Sequence, residues 1–204
     1  EEHPESDGAR RLHAIQYYTR LTQRLVSSLT VATRRGRLYE VDMRLRPSGG
    51  QGPVATQMRS FLAYQVNEAE IWEHMALTRA RVVAGDASLG AQVEEAVTAV
   101  LRLKRDPSHL QKAVRDMRAL IAAEKGEGDP WDLKLAAGGV IDVEFIAQYL
   151  ALRHAHATPQ IIAAEPAQVI VNAGRLGLIA AADADRLAQA HGLYSTVTQM
   201  MRLT

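Results

Sequence analysis

One segment of the chain breaks a sequence pattern that is otherwise helical. Between residues 37 and 46, four apolar residues alternate with charged ones: Tyr39, Val41, Met43 and Leu45. A period of two predicts a strand with one apolar face and one charged face. Nothing else in the 204 residues reads well as a strand, and a strand needs hydrogen-bonding partners. We therefore predict that residues 38–46 pair with strands absent from this chain, or have few partners in it. On this expectation the sequence is a fragment whose sheet partners precede residue 1.

The rest of the chain has the three- and four-residue apolar spacing of helices. Helices are predicted at 9–32, 56–84 (as one helix or two), 87–104, 106–125, 140–156, 159–173 and 180–203. Asp86 is a predicted N-cap, Asp106-Pro107 and Thr158-Pro159 are helix-start signals, and Gly174 is a predicted C-cap. Residues 126–139 form a glycine-rich loop. The change of pattern at residues 101–107 is the candidate domain boundary.

Composition excludes several classes of protein. The chain has no cysteine, which excludes a disulfide scaffold, a thiolate metal site and a cysteine nucleophile. No apolar run approaches the ~20 residues of a membrane span, and the N-terminus lacks the pattern of a signal peptide, so no membrane partner is expected. Residues 8–58 are basic, which suits either a polyanion partner or a solvated helix face. Because aromatic residues make up only 5%, no nucleic-acid partner is expected.

The charged face of the predicted strand carries one carboxylate and two guanidinium groups, those of Asp42, Arg44 and Arg46. A turn-rich loop, residues 47–53, follows at once. A carboxylate can hold a divalent metal, guanidinium groups can bind phosphate oxygens, and loop N–H groups, at Ser48 and Gly49 for example, can cradle an anion. The pattern thus suits phosphate chemistry. The alternative is an exposed face of salt-bridging charges.

A second charged segment runs from Lys134 through Gly138-Gly139 to Asp142 and Glu144. Paired glycines permit a close backbone approach and leave the N-terminus of the next helix free for an anion. The alternative is a loop with acids that favour the first turn of a helix. Trp72 falls on an apolar stripe, which predicts core packing for this residue.

Three segments resemble signatures of the bacterial glutamine synthetase adenylyltransferase / adenylyl-removing enzyme family: residues 36–49, 72–85 and 132–149. They occur in the family's order and cover most of residues 10–150. The resemblance implies a mainly α fold. Residues 1–100 would be the C-terminal part of a nucleotidyltransferase catalytic domain, a truncated α+β domain with few strands left. Residues 101–204 would be an all-α helical-bundle domain.

The resemblance also implies a function. The family has two nucleotidyltransferase halves, one of which attaches AMP to a tyrosine of glutamine synthetase, while the other removes it by phosphorolysis. Residues 45–49 and 74–81 look like the C-terminal, adenylylating half, which implies a cytoplasmic enzyme that takes AMP from ATP and regulates nitrogen assimilation. The alternatives are the deadenylylating half, or a non-catalytic helical module that binds glutamine synthetase or a PII signal protein.

Finally, the resemblance implies roles for individual residues. Nucleotidyltransferases of this superfamily hold two Mg²⁺ ions with three carboxylates, and Asp42 matches the third, as a catalytic and metal-binding residue. The first two carboxylates have no counterpart here, so this chain alone is expected to be inactive. The implied nucleotide-binding residues are Arg44, Arg46, Ser48, Gly49, Lys134, Asp142 and Glu144. We also predict that Lys134 and Asp142 face the same cleft as Asp42.

Overall fold

The computed structural model describes residues 5–34, 36–37, 39–126, 129 and 131–203, without the side chains of residues 202 and 203. Leu38 of the predicted strand, and Gly128 and Pro130 of the predicted loop, lie outside the described residues. The described part is mainly helical. Its helices are α1 (Ala14–Thr30), α2 (Met58–Asn67), α3 (Ile71–Leu77), α4 (Ala87–Leu101), α5 (Pro107–Lys125), α6 (Val140–His154), α7 (Pro166–Arg175) and α8 (Ala181–Leu203).

The chain forms two compact units, Glu1–Ala69 and Glu70–Thr204. The first contains α1 and α2, and the second contains α3 to α8. The predicted boundary at residues 101–107 lies inside the second unit, where Leu101 packs in one core cluster with Met75 and Leu110. The assignment of residues 1–100 to a catalytic domain and 101–204 to a helical domain stays a prediction, since compactness does not assign a function.

Helix α6 is the centre of the second unit. One cluster packs α6 against α7 and α8 through small and β-branched side chains such as Ala151 and Ile170. Another packs Leu152 at the end of α6 against Leu110 of α5 and Met75 of α3. Residues of α6 belong to both clusters, so α6 is fixed relative to α3 and α5. The side chains of its first turn are thereby held at defined positions.

Aspartate caps start two of the helices as predicted. The carboxylate of Asp86 accepts a hydrogen bond from the backbone N–H of Leu89 at 2.9 Å, and that of Asp106 accepts from His109 at 2.7 Å. These bonds satisfy N–H groups that have no partner within the helix.

Two other predictions at helix ends are wrong. Thr158-Pro159 begins only a 3₁₀ turn, Pro159–Ile161, and the helix itself starts at Pro166. Gly174 is not a C-cap but lies inside α7, where an added Cβ would stand 2.6 Å from the Cβ of Ala184 in α8. The glycine therefore permits close packing of the two helices. The left-handed turn after α7 is made at Gly177, whose φ is +68°.

The strand predicted for residues 37–46 is not formed among the described residues of that range, which are irregular. The backbone pairings seen in the described part are the isolated bridges Glu5–His13 and Thr33–Gly36. The apolar face is not uniformly buried, since Leu45 is 65% exposed. This agrees with the expectation of few partners, because an extended segment without a ladder has neither its hydrogen bonds nor its apolar cover. The α+β character of the first domain is not seen in the described chain.

In the part of the chain that the structure describes, no helix is long and apolar enough to cross a membrane.

Candidate functional site

Asp42 and Arg44 form a close ion pair in the irregular segment after α1. The Arg44 side chain donates to the Asp42 carboxylate through Nε at 3.0 Å and Nη2 at 2.6 Å, and the Arg44 backbone N–H donates at 2.9 Å. The side-chain hydrogen bonds from Arg44, and then its backbone N–H, lower the pKa of Asp42 to about 2. Both side chains are exposed. The pair thus presents a carboxylate that is ionised at neutral pH to solvent.

Arg46 holds the glycine-rich loop together from within. Its guanidinium donates to the carbonyl oxygens of Met43, Gly50 and Gly52. Ser48 and Gly49 both have positive φ, +60° and +53°. The N–H of Gly49 donates to the carbonyl of Arg46 at 2.8 Å, so it is not available to cradle an anion in this conformation. Arg46 and this N–H group therefore hold the loop in its conformation. The Arg44 side chain instead is exposed and pairs with Asp42.

Asp142 lies in the first turn of α6 and joins three segments of the second unit. Its carboxylate accepts from Nε of Arg118 in α5 at 2.5 Å, and from the backbone N–H of Gly138 at 2.7 Å. Burial by itself would raise the pKa of Asp142, but the hydrogen bonds from Arg118 and Gly138, together with the charge of Arg118, lower it. Arg118 also donates to the carbonyl of Leu135 at 3.0 Å. This network fixes the turn that leads into α6.

The N-terminus of α6 is occupied by the chain itself. The N–H of Val140 donates to the backbone carbonyl of Leu133 at 2.8 Å, and the N–H of Ile141 donates to the backbone carbonyl of Lys134 at 3.3 Å. With Gly138 bound to Asp142, the expectation of a helix terminus free for an anion is not met. The alternative, an acid that caps its own helix, describes Asp142.

Glu144 and Lys134 differ in their surroundings. The Glu144 carboxylate accepts from Nη1 of Arg79, in the turn after α3, at 2.9 Å. The Lys134 side chain is exposed, and it takes part in no ion pair seen among the described residues. Lys134 is therefore a cation that a ligand could reach directly.

Sequence reasoning missed the residues that pair with these acids, Arg118 and Arg79. Arg79 lies within the second family-like segment, and that position could have pointed to it. Arg118 lies on α5 among other charged residues, and nothing in the sequence distinguishes it from them.

The prediction for Trp72 is wrong, because its side chain is 40% exposed while His74 and Met75 are buried. His74 Nδ1 contacts Nη2 of Arg105 at 3.0 Å. Since a guanidinium can only donate, Nδ1 must be the acceptor. Burial lowers the pKa of Arg105 to about 10, and its other donors bind carbonyl oxygens at the end of α4. In this segment the core residues are therefore His74 and Met75, and not Trp72 as predicted.

The described residues do not form a magnesium site by themselves. They contain no group of three or more His, Cys, Asp or Glu side chains that could hold a metal ion. Asp42 offers one carboxylate, whereas Mg²⁺ needs six oxygen ligands, of which water supplies several.

Asp42 belongs to the first compact unit, while Lys134, Asp142 and Glu144 belong to the second. Their location in one cleft stays a prediction.

Comparison with known proteins shows which enzymes this chain resembles. Residues 1–96 match the family model of glutamate-ammonia ligase adenylyltransferase. The chain is 56% identical over 200 residues, 98% of its length, to the bifunctional glutamine synthetase adenylyltransferase/adenylyl-removing enzyme of Xanthobacter autotrophicus. It is 52% identical over 99% of its length to the enzyme of the same name from Bradyrhizobium diazoefficiens. In each case it spans 20% of the relative's length.

A mainly helical chain with these matches falls in the class of adenylyltransferase-related proteins. More specifically, nearly the whole chain corresponds to a fifth of the bifunctional glutamine synthetase adenylyltransferase/adenylyl-removing enzymes.

Proposed function

We propose that this chain takes part in the transfer of AMP from ATP to a tyrosine of glutamine synthetase, as a portion of the adenylylating half of the enzyme. The observation that carries the proposal is the exposed Asp42 carboxylate paired with Arg44, in a segment that matches the family model. The relatives' names supply the reaction class and the protein substrate. A cytoplasmic location, and PII signal protein as a further partner, belong to the same proposal.

The exposed carboxylate of Asp42 could act as a general base or as a metal ligand. A general base works best when its pKa lies near the operating pH. While Arg44 holds the pKa of Asp42 at about 2, Asp42 is a poor acceptor for the proton of a tyrosine hydroxyl, whose pKa is about 10. We therefore assign it the role of an anionic ligand for Mg²⁺ that accompanies ATP, in a set completed by groups outside the described residues.

We assign the binding of the ATP phosphates to the basic side chains. Arg44 would turn from Asp42 toward the phosphates when a metal replaces it, because an exposed ion pair is easily exchanged. Arg46, Ser48 and Gly49 keep the loop in shape, and Lys134 offers a further cation. Asp142 and Glu144 orient Arg118 and Arg79. We propose that these groups line one cleft with Asp42.

The test uses a chimera in which this chain replaces the matching fifth of the Xanthobacter autotrophicus enzyme. We expect Asp42→Asn to abolish AMP incorporation into glutamine synthetase, with a loss well beyond the roughly 10–100-fold typical of outer-shell changes around a metal. Arg44→Ala should cost less, because other cations share the triphosphate. Glu40→Gln, a neighbouring exposed carboxylate, is the matched control and should leave activity unchanged.

Each variant is also melted thermally, because Asp42 is exposed and its loss should not unfold the protein. Near-normal activity of Asp42→Asn would remove this residue from the site and leave the salt-bridged surface as its role. The phosphorolytic reaction is assayed in parallel. If Asp42→Asn abolished only deadenylylation, the chain would belong to the other half of the enzyme. If neither activity responded, Asp42 would have no catalytic role, and the alternative of a non-catalytic module that binds glutamine synthetase or PII protein would be favoured.

A further inference from the structure

A pocket of about 330 Å³ lies between α5 and α6 in the second compact unit. Gln111, Arg115 and Arg118 line it from α5, where their spacing of four and three residues places them on one face. Phe145, Ile146 and Tyr149 line it from α6, where Tyr149 follows the other two by four and three residues and so lies on the same face. The α5 wall also contains Val114 and the α6 wall also contains Asp142. The α5 wall is thus mainly polar and cationic, and the α6 wall is mainly apolar and aromatic.

The two arginines of the pocket are in different states. Arg118 is held by Asp142, which also lines the pocket. Arg115 is exposed and takes part in no ion pair among the residues that the structure describes. Since one aspartate offsets one of the two arginines, the lining keeps a net positive charge at Arg115. An anion could bind there without displacing a native partner.

The apolar wall is left partly uncovered by the fold. Ile146 is 39% exposed, and Phe145 and Tyr149 are only partly buried while they pack on the core behind them. A flat ring on this wall would remove apolar surface from water and meet aromatic faces. Gln111, an exposed residue of the lining, has an amide with a donor and an acceptor side by side, the arrangement that pairs with the N6 and N7 edge of adenine.

We propose that this pocket binds an adenine nucleotide, with the base on the wall of Phe145, Ile146 and Tyr149 and the phosphate at Arg115. The volume falls in the range of small-molecule sites, and a few polar groups converge on an apolar surface, as such sites require. Arg115 and Ile146, on which this proposal rests, have no role in the proposed transfer reaction, whereas Arg118 and Asp142 of the lining take part in both proposals.

The test is an isothermal calorimetric titration of the 204-residue chain with AMP. The buffer contains EDTA so that no metal contributes to binding. We expect saturable binding at one site. Arg115→Ala should weaken binding about 10- to 100-fold, the loss of one charge-assisted hydrogen bond. Ile146→Trp, which fills the pocket at an exposed position, should weaken it at least as much.

Lys112→Ala is the matched control, because it removes the same charge from α5 but its side chain binds Asp116 and does not line the pocket. It should bind AMP like the unmodified chain, and so should Asp42→Asn, which separates this proposal from that of AMP transfer. Circular dichroism checks that each variant is folded. Adenosine should bind more weakly than AMP and be indifferent to Arg115→Ala.

Three results would overturn the proposal. The first is no binding at millimolar AMP. The second is binding unchanged in both Arg115→Ala and Ile146→Trp. The third is inorganic phosphate binding as tightly as AMP, which would make Arg115 a simple anion site.

Discussion

The ion pair between Arg118 and Asp142 should be a measurable source of stability for the second unit. The side chains are 20% and 27% exposed, which places the pair between two known cases. Exposed pairs contribute about 0.2–1 kcal/mol, and breaking a fully buried pair costs about 3–5 kcal/mol. We therefore expect a coupling free energy of about 1–2 kcal/mol between the two residues.

The measurement is a double-mutant cycle with Arg118→Met, Asp142→Asn and the double variant, by urea unfolding. Tryptophan fluorescence is the suitable probe, since both tryptophans, Trp72 and Trp131, lie in the second unit. Asp142→Asn alone should cost about 1.5–3 kcal/mol, because hydrogen bonds to a charged group are lost with the ion pair.

The pH dependence has a definite sign. The pKa of Asp142 is lowered in the folded chain, so its contribution is fully present above its unfolded pKa of about 3.9 and is lost as pH falls through the folded value. The difference between the unmodified chain and Asp142→Asn should thus be complete at pH 7 and shrink in acid.

The exposed pair Lys112–Asp116 on α5, whose side chains are 76% and 61% exposed, is the control and should show a coupling of at most about 0.5 kcal/mol. An Arg118–Asp142 coupling no larger than this at pH 7 would refute the reasoning, and the network at the start of α6 would then be stabilised by packing alone.

Four further substitutions test the local geometry. Gly139→Ala should destabilise the chain by about 1–3 kcal/mol in urea unfolding, because the added Cβ would lie 2.7 Å from a carbonyl oxygen of the preceding turn. Gly192→Ala should instead stabilise the chain by about 0.5–1 kcal/mol, because its added Cβ would meet no atom within 4 Å. Arg105→Ala should cost about 2 kcal/mol or more in the same assay, since its guanidinium donates to carbonyl oxygens at the end of α4, and an unchanged midpoint would contradict this. Arg44→Ala should raise the pKa of Asp42 from about 2 toward its ordinary value of about 3.9, as followed by NMR titration of the carboxyl carbon; an unmoved titration would show that the pair does not persist in solution.

The sequence predicted the helical part of the fold well because its signals are local. The caps at Asp86 and Asp106 act on N–H groups three residues away, so they operate wherever the segment lies. The same holds for the contact of Asp42 with Arg44, two residues along the chain, which the alternating pattern placed on one face.

Predictions that depend on distant partners were less accurate. The strand at 37–46 is not formed in the described chain, because a ladder needs a second segment to bond with. The apolar stripe pointed to Trp72 as the buried residue, yet the neighbours packed against α3 bury His74 and Met75 instead.

The partners of the second charged segment were decided by tertiary structure alone. Arg118 precedes Asp142 by 24 positions, and Arg79 precedes Glu144 by 65. No local rule links residues so far apart. They meet because α3 and α5 both pack against α6, and that packing is set by which apolar faces fit together. The sequence identified the acids and the glycines before α6, and the packing of three helices selected which arginines neutralise them.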